Sequence, residues 1–208
     1  RFRSNMTIDD LLGVPKGERH NRKPQPRVVN RDGTINWVNL QQAYDNLLKK
    51  QGKWFQHTIF DEGLNNAPGE ASTLWGHTSD VVKTARQIPV PKGSSRAELV
   101  RAALVHDIGK LQTGQEGSDN PTHSYISEYL LSDLGFPEFD TPTVRSAVRY
   151  HMNDSGLDQW NKSGIEKQDK WGFVNPDTIN YDLLNALQAS DVARGLSYDQ
   201  AAAKYPQL

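Results

Sequence analysis

Each apolar helical stripe between residues 72 and 196 of this chain contains or ends in a histidine or an aspartate. That feature constrains the fold more than any other. A polar group on a buried stripe is costly unless it is hydrogen-bonded, paired or bound to a metal, so the stripes must bring these groups to a common place. The stripes themselves are well marked. Residues 78–88 place Val81, Val82, Ala85 and Ile88 on one face, and Pro89 and Pro91 end that segment. Ser95 with Glu98 is a capping box that opens a helix carrying Leu99, Ala102, Ala103 and Val105 into His106-Asp107. A third helix is predicted over 122–134 with Ile126, Leu130 and Leu134 on its face, Gly135 as its C-cap and Pro137 beyond. Thr141-Pro142 opens a fourth through Val144, Ala147 and Val148 to His151. After a polar insert at 153–177, a fifth is predicted over 179–194, and Ser197 to Gln200 caps a sixth. Upstream, 40–50 reads as a short amphipathic helix and 28–38 as a small hairpin about Asp32-Gly33. Strand signals are scarce. The expected class is all-α: a helical bundle over 56–208 with a partly irregular N-terminal extension over 1–55.

The misfit residues repeat from helix to helix. His77 immediately precedes the first predicted helix, and His106 and Asp107 end the second. His123 lies three before Ile126 and seven before Leu130; His151 lies four after Ala147 and seven after Val144; Asp191 lies four after Leu187 and seven after Leu184. Four of the six histidines fall in this pattern, and His20 and His57 fall outside it. One such histidine is readily explained as a satisfied core residue. Six groups together would need a large buried network containing two carboxylates, which is expensive unless every member is paired. One or two divalent cations satisfy them all. Imidazole nitrogen and carboxylate oxygen suit Fe, Mn, Zn, Co or Ni rather than Ca, and a chain without cysteine has no thiolate to offer.

The order His77, His106-Asp107, Asp191 resembles the HD-domain superfamily of metal-dependent phosphohydrolases, and "VHDIGK" is similar to its defining dipeptide in the usual setting. "THSYISEYLLSDLGFP" and "VRSAVRYHM" resemble the two further histidine-bearing helices of the dinuclear members. The resemblance spans about residues 72–196 and implies an HD-type helical bundle. It further implies that His77, His106, Asp107 and Asp191 hold a first metal, and that Asp107 bridges to a second held by His123 and His151. Two divalent ions, Fe or Mn foremost, are the implied cofactors. The implied reaction is attack of a metal-activated hydroxide on a small phosphorylated substrate, with a nucleotide expected. The same ligand set resembles the di-iron oxygenase branch of the superfamily, which acts on small polyols or phosphonates. No GYP-type signature of the cyclic-dinucleotide branch follows His151.

Lys110 lies three after Asp107, so a continuing helix would turn it into the same cavity, where it could stabilise a phosphate in the transition state; it could equally pair with a carboxylate. Arg194, three after Asp191, has the same two options. Thr78 and Ser79 are expected as helix caps. The insert offers Lys170 and Trp171 as contacts for an anionic, flat ligand, or as packing for the loop itself. Residues 1–35, rich in Arg, Lys, Asn, Pro and Gly, read as a solvated arm that could drape over the domain and that turnover of a small substrate should not require. A formal net charge of −1 does not call for nucleic acid, and no apolar run approaches a membrane span or a signal peptide. The absence of cysteine fits a reducing, cytoplasmic setting.

Overall fold

The computed structural model describes residues 25–65, 71–90, 92–116, 122–152 and 179–204. Among them the chain is helical: α1 (Trp37–Gln51), α2 (Leu74–Ala85), α3 (Arg96–Val105), a single turn α4 (Lys110–Thr113), α5 (His123–Leu130) followed by a 3-10 turn (Leu131–Leu134), α6 (Pro142–Tyr150), α7 (Tyr181–Val192) and α8 (Tyr198–Lys204). The predicted hairpin is reduced to one antiparallel bridge between Val29 and Ile35. Among the described residues no helix is long and apolar enough to cross a membrane.

The caps expected from the sequence recur as hydrogen bonds. Ser95 accepts from Glu98 N at 3.1 Å, and Thr141 from Val144 N at 3.3 Å. Ser197 and Gln200 bond reciprocally. Gly135 takes the left-handed conformation, φ 74°, that stops the 3-10 turn. Two starts differ from expectation. Asn36 caps α1, so that helix begins at Trp37 rather than 40. Thr73 caps α2 by accepting from Gly76 N. Helix α2 therefore starts four residues before the apolar stripe does; Thr78 and Ser79 lie inside it rather than at its end, and His77 belongs to its first turns.

The centre of the bundle is α3. Ala97, Leu99, Val100, Ala102, Ala103, Leu104 and Val105 are all buried, the pattern of a helix covered on every side, and α2, α6 and α7 pack against it. The chain leaves α3 through His106-Asp107, so this dipeptide sits at the middle of the bundle.

Val28 and Val29 are fully buried and belong to the same core as Leu40, Ala43 and Leu47 of α1. Their backbone N–H groups donate to the Glu138 carboxylate, which also pairs with Arg101 of α3 at 2.9 Å. This corrects the expectation that the first 35 residues stay outside the core. The apolar pair Val28-Val29 is too short to stand out in a polar stretch, yet it closes one side of the bundle. A chain cut near Asn36 would lose it and expose the surface beneath.

Candidate metal centre

Five helix ends deliver the six candidate ligands. His77 comes from the first turns of α2, His106 from the C-cap of α3, His123 from the first position of α5, His151 from the C-cap of α6 and Asp191 from the last turn of α7. Asp107 follows α3 directly. All but Asp191 are buried, and Asp191 is about one-fifth exposed. The two oxygens of Asp107 face different neighbours. Oδ2 lies 3.2 Å from His77 Nε2 and 3.5 Å from His106 Nε2. Oδ1 lies 3.1 Å from both His123 Nε2 and His151 Nε2. Asp191 Oδ1 joins the first set, 3.2 Å from His77 Nε2 and 3.7 Å from His106 Nε2.

The outer edges of the rings fix their orientation. His106 Nδ1 lies 2.7 Å from Ala103 O, and His151 Nδ1 lies 2.6 Å from Val148 O. A carbonyl only accepts, so each Nδ1 carries the proton and each Nε2 turns a lone pair inward. His123 Nδ1 is held at 2.8 Å by Glu116, whose carboxylate also accepts from the Thr122 hydroxyl and from the backbone N–H of Thr122 and His123. Arg149, buried two residues before His151, pairs with Glu128 of α5 at 2.9 Å and lies over the Tyr125 ring. That contact ties the helix of His151 to the helix of His123.

These residues fit a metal. His123 Nε2 and Asp191 Oδ1 are buried, close to polar neighbours, and without a hydrogen bond. Each lies close to other ligand-type atoms without bonding to them, as the ligands around a cation do. Among the described residues two overlapping groups bring ligand atoms within 4.8 Å of one another, close enough to share an ion: His77, His106 and Asp191, and His106, Asp107 and His151. The electrostatics agree. Burial alone would push the Asp107 carboxyl up, but His106, Lys110 and His123 pull it well below the usual carboxylate range. Asp191 is likewise held low against burial by His106 and His77. Burial pushes His151 down, toward the neutral form that ligates. His77 is opposed by burial yet raised to about 9 by Asp107 and Asp191, so in the absence of a cation this ring takes up a proton.

Lys110 takes the paired option. Residues 106–109 form turns rather than continuing α3, and the chain resumes as α4. The tighter path still brings Lys110 Nζ to 2.8 Å from Asp107 Oδ2, on a nearly buried side chain. Burial would lower this ammonium, and Asp107 more than compensates. Arg194 also stays at home, donating to Asp191 O with its guanidinium 4.0 Å from Asp191 Oδ1. Lys170 and Trp171 lie outside the described residues.

Sequence reading missed Glu116, and it read Gly109 as a possible helix breaker without the steric reason for a glycine there. Glu116 is seven residues before His123, too far for a helix pairing, and it lies outside any helix. Gly109 has ordinary helical φ, so no turn chemistry announces it. Its reason is space: a Cβ there would sit 2.1 Å from His123 O. We expect Glu116→Gln to weaken metal binding at the His123–His151 side by about 10–100-fold, the usual cost of losing an orienting partner. Titration of the metal-stripped protein, read by bound-metal stoichiometry, checks this; unchanged affinity would show that the Glu116 contact is not orienting.

Neither the search of curated proteins nor that of solved structures gives a match. The family comparison does: the HD domain model matches residues 74–188, from the helix of His77 into the helix of Asp191. With that span covering more than half of the chain and containing the His106-Asp107 pair, the protein belongs to the HD domain family, whose members are in general metal-dependent hydrolases.

Proposed function

We propose that this protein is a phosphohydrolase, a phosphatase or phosphodiesterase, that uses two divalent cations, Fe or Mn, on a small phosphorylated substrate, with a nucleotide as the favoured class. The observation that carries this reading is the division of Asp107: one oxygen faces His77 and His106, the other faces His123 and His151. A mononuclear site has no use for that split.

His77, His106, Asp107 and Asp191 would hold one ion, and Asp107, His123 and His151 the other. Such a pair supplies Lewis acidity and a hydroxide at neutral pH, so no side-chain nucleophile is required. The protein's own groups do the rest. Ala103 O, Val148 O and Glu116 keep three rings turned inward. Lys110, held charged beside Asp107, offers its other two N–H donors to a phosphate oxygen and so stabilises charge that builds up there in the transition state. Arg194, 4.0 Å from Asp191 Oδ1, is proposed to serve the same anion. The insert, through Lys170 and Trp171, is proposed to hold the remainder of the substrate. A cytoplasmic setting goes with a chain that has no cysteine.

Elemental analysis combined with turnover of a generic aryl phosphate under air and under nitrogen tests this. Two metals per chain and equal hydrolysis in both atmospheres are expected, with nucleoside phosphates hydrolysed or competing. One metal or none, or consumption of dioxygen with a polyol or phosphonate, would overturn the reading.

A further inference from the structure

Helix α2 has two working faces. At 3.6 residues per turn, His77 points one way, and Trp75, Thr78, Ser79, Val82, Lys83 and Arg86 follow one another at helical spacing on the opposite face. That face lines a cleft of about 450 Å³, closed on its other side by Ile35 and Trp37 from the hairpin and the start of α1. The volume falls in the range of small-molecule sites. None of the six candidate metal ligands lines it.

Its chemistry is specific. Trp37 and Trp75 meet edge to face, ring centroids 6.0 Å apart and planes 70° apart, yet Trp37 remains 61% exposed. A tryptophan left that open beside a second ring is a platform rather than a core residue. Lys83 and Arg86 stand at the same cleft, both exposed, and neither takes part in an ion pair among the described residues. The acid that Arg86 influences, Asp32 in the hairpin turn, has its carboxylate engaged by the Thr34 backbone N–H and hydroxyl. Ser79 adds a hydroxyl that can donate or accept. Aromatic faces, two cations with no ion pair among the described residues and a hydroxyl in one concavity match a flat ring carrying an oxyanion.

We propose that this cleft is a second ligand site, separate from the metal centre, for a nucleoside phosphate or another planar heteroaromatic molecule bearing a phosphate. The proposal does not rest on the hydrolase reading. The ring stacks on Trp37 against the edge of Trp75, and the phosphate lies between Lys83 and Arg86.

The test uses the full chain loaded with metal. The probe is an adenosine 5′-phosphonate in which carbon replaces the ester oxygen, so that hydrolysis cannot remove it. The readout is the indole N–H signals of the five tryptophans, with Trp37 and Trp75 assigned through Trp37→Phe and Trp75→Phe. The probe should shift both signals saturably, and inorganic phosphate alone should not. Lys83→Ala with Arg86→Ala, both exposed positions, should weaken that binding at least about tenfold while leaving the metal content unchanged. The shifts should persist in His123→Ala. Unmoved indole signals, affinity unaffected by the double substitution, or shifts that vanish in His123→Ala would each overturn the second site. Any of those results leaves aryl phosphate turnover, and with it the hydrolase reading, intact.

Discussion

Asp107→Ala should remove both metals and abolish turnover, whereas His123→Ala should remove only the second metal. The asymmetry follows from the geometry. A carboxylate whose two oxygens face two histidine pairs is shared, and a terminal imidazole is not. Loss of activity in Asp107→Ala should exceed the roughly hundredfold penalty typical of a merely orienting group. Stability must be read separately, because the substitution also strands the buried Lys110 ammonium, and breaking one side of a buried ion pair costs about 3–5 kcal/mol. Asp107→Ala combined with Lys110→Met should regain much of that stability in urea unfolding while its metal content stays low. Metal loss of equal extent in His123→Ala and Asp107→Ala would break the bridging assignment.

Gly109→Ala should be among the most damaging single changes in the chain, although it adds one methyl group. The new Cβ would lie 2.1 Å from His123 O and 2.8 Å from Ser127 N. Both atoms are backbone, and no side chain can swing away. The start of α5 would have to move by more than an ångström, which also breaks the 2.8 Å bond from Gly109 N to Ser127 Oγ and carries His123 off Asp107. A loss of about 3 kcal/mol or more is expected, at or above the usual upper range for overpacking, together with weaker metal binding on the His123 side. Urea unfolding and metal titration read the two effects. A variant with unchanged stability would show that α5 does not approach the turn this closely.

What the sequence alone determined about this protein is local in origin. Ser95, Thr141 and Ser197 cap helices because a hydroxyl reaches an N–H two or three residues on, and no distant contact is needed for that. The six ligand-type residues stood out because each precedes, interrupts or ends an apolar stripe whose period is fixed by its own helix. The resemblance to the HD family rested on the same residues. The tertiary structure decided what depends on distant partners. Glu116 holds His123 through a contact that no helix periodicity sets, and Gly109 is required only because another backbone passes over it. Val28 and Val29 are core because Glu138, about a hundred residues later, takes their N–H groups. Thr73 moved the start of α2 upstream and so placed His77 inside a helix, giving that helix its second face. The choice for Lys110 between a phosphate and a carboxylate was open in the sequence, since a continuing helix permits both. A turn at 106–109 and the burial of Asp107 settled the resting partner, because a carboxylate in a low-dielectric interior attracts the nearest ammonium far more strongly than it would in water.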